Sequence, residues 1–169
     1  VEYFGRGPAE NYLDRNAGSM VGLYKSTAEE LYFPYVRPQE NGHHTDTRWV
    51  SLSTGKKGLL IQADNTIGFN ALRNSIEDFD DEEATGLSRQ WSNFTPEQVA
   101  NHDEAAAKNV LRRQHHINDI TPRDFVEVCV DLKQQGVAGY DSWGSRPEPA
   151  YTLPANREYN WGFTLIPLK

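Results

Sequence analysis

Among 169 residues there is one cysteine, Cys129, and one methionine, Met20. A single thiol excludes an internal disulfide and the paired-cysteine spacing of a thiolate metal site, and it leaves the compartment open. Positive charge is scarce too: 17 Lys and Arg stand against 24 Asp and Glu, a formal net charge of −7. Binding along a phosphate backbone needs clustered cations, so nucleic acid is excluded as a partner. No apolar run approaches the roughly 18–20 residues of a membrane-spanning helix, and no membrane partner is expected. The opening Val1-Glu2-Tyr3-Phe4 lacks the basic and apolar regions of a signal peptide. It also lacks an initiator methionine and reads as the middle of a strand, so the expectation is a piece of a longer polypeptide.

What the chain does have is turn formers and aromatics: nine Pro, thirteen Gly, four Trp, eight Tyr and seven Phe. That mixture favours short strands joined by shaped turns. Residues 1–4 read as a strand entering a Gly-Arg-Gly-Pro turn. Ser19 to Ser26 alternates, Leu31 to Val36 reads as an edge strand closed by Pro38, and Arg48 to Ser53 alternates again. Thr54-Gly55-Lys56-Lys57-Gly58 predicts a hairpin turn into a strand at Leu59–Ala63, with a further strand at Ile67–Leu72. Strands return at Phe125–Leu132, at Ala150–Leu153 and at Tyr159–Leu165. The pattern is that of an all-β, antiparallel β-sandwich in one domain spanning 1–169, without alternating βαβ units.

The middle differs in kind. Residues 77–83 are almost wholly acidic, without the Asp-x-Asp-x-Asp-Gly spacing of a calcium loop. Thr95 is an N-cap candidate, with Pro96 at the first helical position and Gln98 completing a capping box. A short helical insertion is therefore expected near 95–113. Asn93-Phe94-Thr95 is a formal glycosylation sequon followed by Pro96, and carries no weight.

Candidate chemistry is sparse. Glu40, beside Asn41-Gly42, is the obvious catalytic acid, yet a retaining glycosidase needs two carboxyls about 5–5.5 Å apart and no pair is marked out. His43-His44 and His115-His116 suggest zinc, but neighbours on a strand point to opposite faces and offer about one ligand per pair. Gly5-Arg6-Gly7-Pro8 is not followed by Gly-Lys-Ser/Thr and so is not a phosphate loop. Arg6, Glu10, Asp14 and Arg15 are positioned to pair and hold that turn. Trp143 lies in a loop among Gly136, Gly139, Gly144, Pro147 and Pro149. From composition, it either plugs one end of the sandwich or offers a flat platform to a sugar ring, with Asp141 and Ser142 fixing the loop.

Three blocks are more particular than patterning requires: residues 3–15 (Tyr-Phe-Gly-Arg-Gly-Pro-Ala-Glu-Asn-Tyr-Leu-Asp-Arg), residues 33–49, and Gly139-Tyr140-Asp141-Ser142-Trp143-Gly144. Together they resemble the C-terminal domain of bacterial β-galactosidases of glycoside hydrolase family 2, over residues 1–75 and about 115–169. The resemblance implies the second half of a supersandwich related in fold to galactose mutarotase. It also implies a parent that hydrolyses terminal β-D-galactosides with retention, and a tryptophan of the Asp-Ser-Trp motif, Trp143, that contacts the sugar. The family pattern reads Gly-Gly-Asp-(Asp/Asn)-Ser-Trp, so Tyr140 stands where an acidic residue is usual, which bears on loop geometry and aglycone preference.

The family's two glutamates sit on a (β/α)₈ barrel of roughly 250 residues, which this chain cannot contain. By this resemblance the catalytic pair and the Mg and Na sites of the parent lie outside the chain. Its partners would be the galactoside, the barrel of the same polypeptide and other copies of an oligomeric parent. A stand-alone carbohydrate-binding module and a mutarotase-like epimerase using His and Glu are the alternatives.

Overall fold

A computed structural model describes residues 1–36, 38–79, 117–141 and 144–169. The expected helix at 95–113, the sequon and His115-His116 lie outside the described residues. So do most of the acidic run and the residues Ser142 and Trp143. The chain forms two compact units, one of residues 1–33, 41–73 and 126–169, the other of residues 34–40 and 74–125.

The first unit is all-β and antiparallel, consistent with a layer of a β-sandwich. Six strands, β1 (Glu2–Gly7), β2 (Met20–Lys25), β3 (His44–Ser53), β4 (Gly58–Leu72), β5 (Glu127–Asp131) and β6 (Phe163–Leu168), make one sheet in the order β2-β1-β3-β4-β5. β6 pairs with β4 off that path. Fifteen residues give β4 a length of about 50 Å, enough for two partners along one edge. β6 takes Gly58 to Ala63 and β5 takes Gly68 to Leu72. What reads in sequence as two strands, 59–63 and 67–72, is therefore one.

Two other expected strands are corrected. Leu31–Val36 is not extended pairing. Thr27 and Glu30 form a capping box, with Glu30 N–H donating to Thr27 Oγ1 at 3.2 Å and Thr27 N–H to Glu30 Oε2 at 3.0 Å. Leu31 N–H then closes a helical turn on Thr27 O. At 150–153 the chain makes a 3₁₀ turn over Pro149–Tyr151. Pro149 has no N–H for a ladder, and the Tyr151 and Thr152 amides bond locally to Glu148 O and Pro149 O. The last strand starts at Phe163, four residues later than Tyr159.

The core lies on one face of the sheet, where Tyr3, Val50 and Ile61 align across β1, β3 and β4 and are all buried. Tyr3, His44 and Phe69 close it with edge and stacked ring contacts at centroid distances of 4.8–5.2 Å. On the opposite face Leu23, Phe4 and Trp49 align with Gln62, and Leu60 with Ile166. Leu23 is 70% exposed there, and Phe4 and Ile166 are exposed as well.

In the second unit, Arg123 Nε donates to Asp78 Oδ2 at 2.9 Å and Nη2 donates to Oδ1. The guanidinium holds the buried Asp78 carboxyl below its usual range. Asn74 Nδ2 donates to Thr121 O at 3.0 Å, tying residues 74–79 to 121–123.

Candidate functional site

The block at residues 3–15 is the junction through which the other two are held. After β1 the chain turns through a cis Gly7–Pro8 bond and then buries Glu10, Asn11 and Tyr12. Asn11 is fully buried and spends its whole amide locally. Its Nδ2 donates to Arg6 O and Ala9 O, and its Oδ1 accepts from Thr45 N–H at 2.9 Å and Thr45 Oγ1 at 2.6 Å. Asn11 N–H donates to His43 O at 2.7 Å. Glu10 Oε2 accepts from Gly42 N–H at 2.7 Å, at a residue whose φ of +75° suits glycine. The first block is thus bolted to Asn41–Thr45 of the second.

The four charged residues of the first block do not pair simply with one another. Arg15 approaches Glu10 at 3.9 Å. Arg6 leaves the block instead, meeting Asp46 Oδ2 at 2.6 Å and capping Ser19 O at 2.8 Å. Asp46 has φ +51° and stands where the β3–β4 register shifts, so Arg6 pins a β-bulge.

Asp14 makes the third connection. Tyr12 and Arg15 bridge each other, leaving Leu13 and Asp14 at the tip of a tight turn. The Asp14 carboxylate accepts from Val137 N–H at 3.0 Å and from Ala138 N–H at 2.8 Å. These partners lie 123 and 124 residues away. Nothing in local spacing could have announced that contact.

The loop so held carries the Asp141-Ser142-Trp143 motif. Gly136 N–H donates to Tyr151 O at 2.7 Å and closes its base. Higher up, Tyr140 N–H donates to Ser145 Oγ at 3.1 Å and Ser145 N–H to Asp141 Oδ1 at 3.3 Å. The chain entering and leaving residues 142–143 is therefore tied together from both sides. Tyr140, Asp141 and Gly144 are exposed. Sequence reasoning singled out Trp143, Asp141 and Ser142 but missed Ser145 and the role of Asp14.

The other candidates have different places. Glu40 is exposed. The two buried carboxylates among the described residues, Glu10 and Asp78, are bonded to Gly42 and Arg123 respectively. His43, just before β3, and His44, its first residue, are both buried. His43 stacks on Tyr12 at 5.6 Å, and His44 sits between Tyr3 and Phe69. Burial pushes His43 down to about 4, with His44 adding to the shift. Burial also lowers His44, opposed by the carbonyls of Pro8 and Gly42. Beside His43, a cavity of about 70 Å³ is lined by Thr66, Gly68 and Leu132 among others. The His43 Nδ1 and Asp131 Oδ2 atoms stand 3.9 Å apart. Among the described residues no three His, Cys, Asp or Glu side chains gather as a metal site requires. No helix among them is long and apolar enough to cross a membrane.

Comparison with known proteins places this arrangement. The family described as the β-galactosidase small chain matches residues 1–165. The chain is 35% identical over 169 residues to a β-galactosidase of Priestia megaterium, covering 99% of the chain and 13% of that protein. It is 29% identical over 170 residues to a β-galactosidase of Streptococcus thermophilus, covering 99% of the chain and 14% of the relative. An Arthrobacter β-galactosidase is 42% identical over 84 residues, 46% of the chain and 8% of that protein. The first two likenesses run through the middle of the chain, correcting the expectation that residues between 75 and 115 fall outside the resemblance. The chain spans about an eighth to a seventh of the length of the relatives it matches end to end.

Proposed function

The chain belongs to the β-galactosidase small-chain family, and from that membership we propose that it is a non-catalytic β-sandwich domain of a larger retaining β-galactosidase, lending Trp143 to the galactoside site. The observation that carries this is an end-to-end match confined to 13% of a far longer relative. Such a domain stands beside the chemistry and does not contain it. The commitment of Glu10 and Asp78 to structural bonds supports the same conclusion, because a double displacement needs a free carboxylate nucleophile and a free acid/base. Both would come from a barrel in the same polypeptide, with the parent's metal sites also outside this chain.

The build of the residues flanking Trp143 supports this role. An indole stacks on the apolar face of a pyranose only if its backbone is stiff, since a mobile wall loses its contact to entropy. The described residues on either side of Trp143 are held: Gly136 N–H on Tyr151 O, the 137–138 amides on the Asp14 carboxylate, and Ser145 N–H on Asp141 Oδ1. The epimerase alternative loses support, because His43 and His44, the described histidines, are sealed in the core.

The test compares the 169-residue chain with the complete polypeptide on a nitrophenyl β-galactoside. The chain alone is expected to be inactive and the complete protein active, with β-galactose as first product. Trp143→Ala in the complete protein should raise KM roughly tenfold or more with a smaller change in kcat, because stacking holds ground state and transition state alike. Turnover by the chain alone would defeat the non-catalytic assignment. An unchanged KM would defeat the stacking role.

A further inference from the structure

The geometry points to Asp14 as a positioning residue for the sugar site, acting through the 136–138 backbone to set the loop that carries Trp143. The inference rests on the role of Trp143 proposed above and adds a residue that no motif assigns to it.

The contact has the features of a built clamp. Two successive amides, Val137 and Ala138, converge on one carboxylate, and Ala138 takes φ +57° to allow it. Successive N–H groups turned inward around a left-handed residue form a concave anion seat. Bonds to an ionised acceptor are the strong class of hydrogen bond. The approach is close enough to dictate sequence on the far side: a Cβ on Gly136 would lie 2.5 Å from Asp14 Oδ2 and 3.0 Å from Tyr151 Cβ. A methyl group there requires the Asp14 carboxylate to move off its seat.

The clamp has a firm origin. Asp14 sits at the tip of the Tyr12–Arg15 turn, and that turn is fixed by Asn11 and Glu10, which are bonded into the start of β3. A carboxylate on a rigid turn transmits the position of the sheet to the loop. Beyond Ala138 the next tie is the Tyr140–Ser145–Asp141 bracket around residues 142–143. Removing the carboxylate frees the leading strand of the loop while leaving its base bond, Gly136 to Tyr151, in place. Displacements of about 1 Å at a binding group are enough to cost large factors in rate or affinity.

The experiment is a double-mutant cycle in the complete polypeptide, with Asp14→Ala, Trp143→Phe and the pair, reading KM, kcat and thermal unfolding. Asp14→Ala is expected to raise KM about tenfold with little change in kcat, and to add almost nothing on the Trp143→Phe background. Asp14→Asn, which keeps one acceptor oxygen, should recover part of the loss. Gly136→Ala should reproduce the effect from the loop side. A lowered melting temperature with unchanged KM would mean a merely structural contact and overturn the proposal. So would effects of Asp14→Ala and Trp143→Phe that simply multiply. If Trp143→Phe itself leaves KM unchanged, the sugar-site reading fails first, and that outcome is read from the single variant without reference to Asp14.

Discussion

A histidine sealed inside a sheet must stay neutral, and His43 is sealed, at 1% exposure. Its folded pKa of about 4 lies below the ordinary 6.5. Between those values the unfolded chain binds a proton that the folded chain refuses, so stability is full above about pH 6.5 and falls as acid is added, until about pH 4. The full span corresponds to roughly 3 kcal/mol. His44, also depressed, adds in the same direction. Asp131, whose carboxyl is held above its usual range by burial, takes up its proton more readily when folded and trims the slope at the acid end. Urea midpoints measured at pH 7, 5.5 and 4.5 should fall steadily, and the fall should be shallower in His43→Asn. Equal slopes would count against a neutral buried imidazole. Asn11→Ala is expected to be more severe at any pH, about 4 kcal/mol, because it orphans Thr45 N–H and the Arg6 and Ala9 carbonyls together. Neither structural role was legible in the sequence. A histidine pair looks like metal chemistry until packing shows both rings in the core, and an asparagine beside Gly-Pro looks like ordinary turn composition.

At the scale of elements, alternation located most of the strands because a half-buried sheet imposes a two-residue period. Val50 and Leu52, and Ile61 within 59–63, were legible on that ground. The failures share one cause: local donors and acceptors took the backbone away from the ladder. Thr27 and Glu30 captured the turn before Leu31, and Phe33 N–H went to Asn41 Oδ1 at 3.0 Å. Pro149 had no amide to offer. Conversely, β4 runs through Asp64, Asn65 and Thr66, residues that suggest a break, and takes up the excess itself: residues 63–66 lie between the Trp49–Gln62 and Thr47–Ile67 pairs, opposite Arg48 alone. This topology makes a prediction for hydrogen exchange. Amides of β4 around Ile61, paired on both edges and buried, should exchange only through global opening. Those of β6, all six of whose residues are exposed, should exchange through smaller openings and lose protection first under mild urea. Equal protection across the two strands would reject β6 as a separately opening edge.

At the scale of the molecule, the decisive feature is a sheet with two unequal faces. One packs a ring cluster of Tyr3, His44 and Phe69. The other offers Leu23, Phe4, Leu60 and Ile166, with Trp49 half-buried between Phe4 and β4 and the Arg48 guanidinium over the Phe4 ring at 5.6 Å. A contiguous apolar stretch of that kind marks a surface that meets other protein. In the proposed parent the natural occupant is the remainder of the same polypeptide. Among the described residues of the isolated chain these side chains stand exposed and can meet another copy, while a net charge of −7 holds copies apart. Self-association should therefore grow with protein concentration and also with salt, since screening removes the repulsion and leaves the apolar attraction intact. Sedimentation velocity of the 169-residue chain at 20 mM and 500 mM salt checks both trends. Leu23→Lys together with Ile166→Lys places charges at the two ends of the face, on β2 and β6, and should keep the chain monomeric at either salt while costing no more than about 1 kcal/mol of stability, because both positions are exposed. Association that survives the double lysine variant would move the sticky surface elsewhere, to the free edges of β2 or β6.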